Sequence, residues 1–335
     1  MQIDALHLTG ASPLVLFNRW QRGMPLVPRP FDELGAPHGL SGAQVRALLR
    51  QGIADGQVSR VGAVFGVGAG GAAMLCALRV APADLARVAA CVDAAPGVNH
   101  NYAREHEWNL WFVATAVDAA QLRANIERIE SATGLRALRL PMRRAYRIDL
   151  GFDLFQAHQP AIPASGAGER SGVQVPTAQR PLAARLEDGL PLVARPYAAL
   201  GEPLGLDETQ VIATLREWCE RGTLRRLGVV LRHHEAGFTA NAMTVFDVPP
   251  QEVDAAGARL AAQPGVTLCY QRANADGWPY TLYCMIHGRE RAAVQALVDQ
   301  ATHGAGLAGR PRQVLFSTKR FKQTGGRYFA SQASI

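Results

Sequence analysis

Apolar residues recur along this chain with two periods, one helical and one extended, and the order of those periods is written twice. From Ser41 the pattern S-x-x-x-V-x-x-L-L sets Val45, Leu48 and Leu49 on one helical face running to about Ala54, with Ser41 as the cap. Ahead of it, Pro13–Arg22 reads as a short helix, and a proline-rich turn leads to Phe31–Leu34. Gln57–Phe65 alternates as a strand or β-wing. Past the glycines of 66–71 the pattern predicts strand Ala72–Val80, helix Ala83–Ala94, strands Val98–Arg104 and Trp108–Ala116, helix Ala119–Thr133 and strand Leu135–Pro141. Three helices and a wing outline a winged helix-turn-helix, and βαββαβ is the ferredoxin-like order. The second half repeats the scheme, with helix Asp207–Arg221, wing Thr223–Arg232, then strands and helices through Phe316.

The repetition is also literal. GMPLVPRPFDELG around Gly23 meets GLPLVARPYAALG around Gly189, Pro96-Gly97-Val98 meets Pro264-Gly265-Val266, and Tyr146-Arg147 meets Phe321-Lys322. Three blocks in one order mean two homologous halves, at a spacing far too long for a solenoid. The expected class is α+β, as two tandem repeats of a winged helix-turn-helix plus a ferredoxin-like domain. The winged helices should occupy 1–66 and 181–234, and the ferredoxin-like domains 70–155 and 238–330. Between them, 156–180 reads as a flexible linker, because Ala157–Arg180 is rich in Pro, Ala, Ser and Gly without an apolar period.

Composition narrows the function classes. At 335 residues and 48% hydrophobic content the chain can bury two domain sets. Cys76, Cys91, Cys219, Cys269 and Cys284 stand singly, which points to buried thiols rather than metal ligands. No stretch is long and apolar enough to span a bilayer, and no basic run precedes an apolar stretch near Asp4, so a cytoplasmic protein is expected. Gly66–Gly71 contains G-x-G without a following Lys-Ser/Thr, and HExxH and G-x-S-x-G do not occur, which sets aside those nucleotide, zinc and hydrolase chemistries.

Candidate chemistry concentrates in Val98–Phe112, VNHNYAREHEWNLWF. Alternation accounts for Val98, Leu110 and Phe112, but not for His100 and His106 flanking Arg104. In an extended strand His100, Tyr102, Arg104 and His106 share one face, provided that the turn begins after His106. Such a face carries two proton donors, a fixed cation and an aromatic ring. A polar sheet surface explains one of these histidines better than it explains the group.

A winged helix joined to a ferredoxin-like domain resembles the Lrp/AsnC regulators. Within that superfamily the chain resembles the sirohaem decarboxylases, heterodimeric enzymes of haem d1 and alternative haem biosynthesis, here as one fused chain. PGVNHNYAREHEWNLWF matches one subunit. LRRLGVVLRHHEAGFTANAM (Leu224–Met243), PGVTLCYQR (Pro264–Arg272), WPYTLYCMIHG (Trp278–Gly288) and KRFKQTGGRYF (Lys319–Phe329) match its partner. The matches cover nearly all of the chain outside the linker. Two places depart from the family. GVGAGGAA (Gly66–Ala73) is looser, and the second half has Leu268 and Asn274 where the first has His100 and His106. One site per chain, completed by the second half, is therefore implied.

The resemblance implies sirohaem as substrate, loss of CO2 from two acetates, no added cofactor and no protein-bound metal, with iron entering as part of the substrate. His100 and His106 would be catalytic, one as general acid and the other as second acid, iron-facing ligand or hydrogen-bond partner. Arg104 would grip a carboxylate, and Tyr102, Trp108 and Asn109 would border the pocket. From the second half, Tyr270, Arg272, Lys322 and Gln323 would bind peripheral carboxylates, and His234 of the His233-His234 pair would face the pocket. His287 is expected to be a satisfied strand-end histidine. The implied partners are the two halves themselves, packed as an intramolecular pseudo-dimer. A homodimer and a complex with a paralogous decarboxylase both stay open.

The alternatives are a DNA-binding regulator and a sirohaem sensor or carrier. A net charge of +7 suits DNA and a polycarboxylate equally. The second half's recognition helix sets Asp207, Glu208, Glu217 and Glu220 against Arg216 and Arg221, a poor surface for phosphates. The first half's helix carries Arg46 and Arg50 with no acid. Two unlike helices cannot read two equivalent half-sites, which disfavours DNA.

Overall fold

The computed structural model describes residues 13–149, 151, 172–232 and 237–329. In chain order the elements are α1 (Pro13–Arg19), α2 (Pro30–Gly35), α3 (Gly42–Ala54), β1 (Val58–Phe65), β2 (Ala72–Leu78), α4 (Leu85–Ala94), β3 (Val98–Arg104), β4 (Leu110–Ala116), α5 (Ala119–Thr133), β5 (Leu138–Leu140) and β6 (Met142–Ile148). The second half follows with α6 (Arg180–Asp188), α7 (Pro196–Gly201), α8 (Glu208–Glu220), β7 (Leu224–Leu231), β8 (Ala240–Phe246), α9 (Val253–Ala261), β9 (Val266–Arg272), β10 (Leu282–Gly288), α10 (Arg291–Gly304) and β11 (Arg312–Gln323). Contacts group these into two compact units. One holds both helix-turn-helix portions, and the other holds both βαββαβ portions.

In the first unit, α3 starts at a capping box of Ser41 with Gln44, and α8 at one of Asp207 with Gln210. Val45, Leu48 and Leu49 are buried, as the helical period requires. Each wing is a single strand, and its partner is the other half's strand: β1 runs antiparallel to β7 with Gly62 opposite Gly228. Arg50 of α3 donates to the Leu192 carbonyl at 2.6 Å, and Arg216 of α8 donates to the Leu26 carbonyl at 3.4 Å. These arginines sit at equivalent places in the repeat, so Arg50 is engaged inside the unit. The linker expectation needs correction at its end. Gly172 and Val175 donate to the Val67 and Ala69 carbonyls, both at 2.7 Å, and Val175 is buried. An apolar anchor with paired amides holds 172–176 as packed structure, and helix follows directly. Residues 156–171 of that stretch, and residues 1–12, lie outside the described residues.

In the second unit, nine strands run β5-β2-β4-β3-β11-β8-β10-β9-β6. The final strand of each half crosses to the other half. β11 pairs with β8 through Arg312–Phe316 and with β3 through Ser317–Gln323. Likewise β5 pairs with β2, whereas β6, beyond Pro141, pairs with β9. Proline has no N–H for a ladder, so the strand breaks there and changes partner. The pattern predicts one strand ending at Pro141, and β6 lies beyond that boundary. Val88, Val92, Leu122 and Ile126 of α4 and α5 cover one outer face, and Val253, Leu260, Val294 and Val298 of α9 and α10 cover the other. A third apolar cluster joins the halves: Leu75, Trp111 and Leu140 pack with Met243, Tyr270, Trp278, Tyr283 and Leu315. The two halves thus form a pseudo-dimer within one chain. None of the described helices is long and apolar enough to cross a membrane.

Candidate active site

The site is built from the start of β3. Gly97 turns the chain at φ +81°, a conformation that suits glycine, and its carbonyl accepts the Thr115 amide at 2.9 Å. The register then slips between Val98 and His100, a bulge opposite β4. After the bulge His100 sits beside Val113 and Tyr102 beside Trp111, on the face shared by the two halves. Asn101 takes the other face, where its amide donates to the Ala89 carbonyl and the Asp93 carboxylate of α4.

The hydrogen bonds settle the state of His100. The Asn99 amide nitrogen donates to the Gly97 carbonyl at 3.5 Å and to the Thr115 hydroxyl at 3.2 Å, which turns Oδ1 toward the ring. His100 Nδ1 bonds that oxygen and must carry the proton, so Nε2 holds the lone pair. Burial lowers the His100 pKa to about 4, and the ring is neutral near pH 7. Tyr102 stacks alongside, with ring centroids 6.3 Å apart.

His106 is not on this row. The strand ends at Arg104 and the chain bends through 105–108, so the condition for a shared face fails. The Trp108 amide donates to His106 Nδ1 at 3.0 Å, which places the ring proton on Nε2. Its ring meets Trp278 edge-on at 5.4 Å. Burial, aided by Arg79 and opposed by Glu107, lowers its pKa. A second proton would need Nδ1, where the amide already points. The two histidines are therefore opposite tautomers, one near the start of β3 and the other in the bend beyond its end.

Arg104 is buried, and its Nη1 donates to the Leu315 carbonyl at 2.9 Å and to Asn241 Oδ1 at 3.2 Å. Burial lowers its pKa to about 10, with Tyr102 and Tyr270 opposing. Its neighbours in sequence pair elsewhere, Glu105 with Arg291 and Glu107 with Arg79. Across β11, Arg320 lies opposite Tyr102 and Gln323 opposite His100. The nine strands of this sheet carry ten Lys and Arg and no Asp or Glu. Four of them, Arg139, Arg144, Arg147 and Arg312, pair with carboxylates outside the strands, whereas Arg104 is buried on the shared face with no ion pair among the described residues, which suits an anionic ligand.

The AsnC-like ligand binding domain family matches residues 68–147 and 235–322, and the siroheme decarboxylase NirDL-like HTH domain family matches 180–225. The siroheme decarboxylase NirDL subunit of Paracoccus denitrificans (strain Pd 1222) is 43% identical over 313 residues, which is 93% of this chain and 95% of that protein. The chain belongs to the sirohaem decarboxylases of the NirDL type. The siroheme decarboxylase NirL subunit of Stutzerimonas stutzeri is 50% identical over 144 residues, covering 43% of this chain and 85% of that subunit. A crystal structure of the siroheme decarboxylase NirDL in co-complex with an iron-uroporphyrin III analogue superimposes with a TM-score of 0.67 at 25% identity, over 94% of this chain and 93% of that one.

In this sirohaem decarboxylase family member the second-half candidates divide. Arg272 repeats Arg104: it is buried, donates to the Leu140 carbonyl at 2.7 Å and lies 4.6 Å over the Tyr270 ring. It also lines an open cleft with Arg143, Asp247, Gln271 and Asn274. Tyr270 stacks on Tyr283. Lys322 turns to the helical face, where its ammonium holds the Asp93 carbonyl at 2.6 Å. Asn109 spends both ends of its amide on the backbone of Val80 and is a structural clasp. Trp108 lies under Arg79, whose guanidinium is 4.4 Å from its ring. His234 lies outside the described residues. Sequence reasoning missed Asn99, Arg320, Asn241 and Trp278. Asn99 had a signal as the residue before His100, and Asn241, Trp278 and Arg320 lie inside the blocks Leu224–Met243, Trp278–Gly288 and Lys319–Phe329 that carry the resemblance.

The low His100 pKa has a consequence for stability. Between pH 6.5 and about 4 the unfolded chain takes up a proton that the folded chain refuses. That contribution is complete above pH 6.5 and is lost as pH falls toward 4. Denaturant unfolding at pH 7 and pH 4.5 should show the loss shrinking by about 2 kcal/mol in His100→Gln. An identical pH dependence in both chains would refute it.

Proposed function

We propose that this chain converts sirohaem to didecarboxysirohaem, removing CO2 from two acetate side chains without an added cofactor. Each acetate takes up one proton and releases one CO2, leaving a methyl group. Protonation of the adjoining ring system supplies the electron sink. The carbon–carbon bond pair flows into it as CO2 leaves, and a proton then adds at the methylene carbon while the ring proton is returned. The observation that carries the assignment of roles is the pair of opposite tautomers. His100 can hold a proton on Nε2 while Nδ1–H stays bonded to Asn99, so it can serve in both charge states. Carboxylates of the bound tetrapyrrole would raise its pKa toward neutrality, because negative charge favours the imidazolium. His106 stays neutral and offers Nε2–H as a hydrogen-bond donor to a carboxylate. Arg104 supplies buried positive charge, and Tyr102 an aromatic wall.

Two observations favour this reading over a DNA regulator. Arg50 is engaged with Leu192, and α8 carries Arg216 as its single cation against Glu208, Glu217 and Glu220. Anaerobic incubation of purified protein with sirohaem, followed by mass spectrometry, should show loss of two CO2. Bound tetrapyrrole of unchanged mass would favour a sensor or carrier instead.

A further inference from the structure

The second half sets a row of polar side chains beside Arg104. Ser317 lies opposite Arg104, and Asn241 lies opposite His287. The Ser317 hydroxyl donates to Asn241 Oδ1 at 2.8 Å, the same oxygen that accepts Arg104 Nη1 at 3.2 Å. A guanidinium can only donate, so this contact fixes which way the Asn241 amide faces. Both acceptor positions of Oδ1 are taken, and the Asn241 NH2 is turned away from Arg104 and Ser317 with its two donors. Beside it, the Thr267 hydroxyl donates to the Met285 carbonyl at 3.0 Å and accepts His287 Nδ1–H at 2.8 Å. Arg104 completes the row as a cation that is only 8% exposed. Its Nε is buried without a hydrogen-bond partner, and among the described residues no carboxylate pairs with it.

The fold itself does not require this row. At the equivalent place Arg272 lies opposite Met142 of the first half as Arg104 lies opposite Ser317 of the second, and Ala73 lies opposite Thr115 as Asn241 lies opposite His287. Three polar side chains in one half thus correspond to Met142, Ala73 and Thr115 in the other. Arg272 is equally buried without any such row. A buried cation and an amide held with its two donors outward together match an acceptor with two oxygens and a negative charge.

We propose that Arg104 and Asn241, with Ser317 orienting the Asn241 amide, form a subsite, one per chain, that holds a carboxylate side chain of the tetrapyrrole. The proposal rests on the sirohaem reading above. It makes Asn241 a binding residue and Ser317 a positioning residue for it, and leaves His287 a strand-end histidine bonded to Thr267.

Asn241→Asp separates this role from a structural one. The variant keeps an oxygen toward Arg104 and Ser317 but loses the two donors and gains a charge that repels a carboxylate. Visible titration of the full chain with sirohaem should give a dissociation constant raised about tenfold or more, with a melting temperature no lower than wild type. Ser317→Ala, which removes only a hydroxyl, should weaken binding by about threefold and carries the test if the Asp chain does not fold. Affinity within about twofold of wild type in the folded variants overturns the subsite and leaves the enzymatic reading standing. A wild-type chain that binds sirohaem without decarboxylating it sinks the enzymatic reading alone, and the loss in Asn241→Asp still supports the subsite. Failure of the wild type to bind sirohaem overturns both.

Discussion

Replacing His100 by Ala should slow single-turnover decarboxylation of saturating sirohaem by about a hundred- to ten-thousandfold, the usual worth of a positioned acid–base group. The tetrapyrrole dissociation constant should move by less than about threefold, because the ring contributes little area beside the macrocycle. The reason lies in how the imidazole is held. Asn99 fixes Nδ1–H, and Nε2 is left to take and give a proton on the face shared with Tyr102 and Arg104. His106→Ala should act differently, weakening binding more than turnover, since its Nδ1 is tied to the Trp108 amide. His106→Gln, which also offers an N–H, should recover part of that binding. Wild-type single-turnover rates in His100→Ala would reduce this histidine to a bystander on a binding face.

Gly97→Ala should be among the most damaging single substitutions outside the chemistry. The backbone there has φ +81°, and an added Cβ would lie 2.1 Å from the Thr115 carbonyl oxygen. No real Cβ contact is so short, so the turn or β4 has to shift. The left-handed conformation costs roughly 1–2 kcal/mol for a residue with a side chain, and the displaced strand adds to it, for about 3 kcal/mol in all. The same shift would move the carbonyl that holds Asn99 and would release the His100 tautomer. Both denaturant stability and single-turnover rate should therefore fall. Gly134→Ala makes the comparison, because its φ of +70° is similar but nothing lies within 4 Å of the added atom. Equal losses in the two variants would show that backbone conformation alone matters at Gly97.

Much of the architecture was readable from local pattern. The capping residues Ser41 and Asp207, the buried face of α3 and the order of the βαββαβ elements are set by neighbours three or four positions away or by simple alternation. The inward row of His100, Tyr102 and Arg104 was legible for the same reason. His106 failed because the strand ends two residues before it, and the end of a strand depends on where its partner stops pairing. What holds Lys322 and Asn109 was not legible for a related reason. Their side chains have the chemistry of ligands, but α4 and the backbone of Val80 had already taken their hydrogen bonds.

By itself the sequence determined that this is a duplicated α+β chain and which half carries the histidine-rich strand. These are properties of composition and of short-range periodicity, and they survive without knowledge of any distant contact. Tertiary structure alone decided that the last strand of each half crosses to the other and that the two histidines are opposite tautomers. It also decided that Arg104 is buried against Asn241 and Ser317. A tautomer follows from which partner donates or accepts, and a buried cation's role follows from what lies across the sheet. The tautomers depend on how the bulge and bend of β3 aim side chains at Asn99, Thr115 and Trp108, and the Arg104 contacts join residues more than a hundred positions apart, as with Asn241; no local period encodes either.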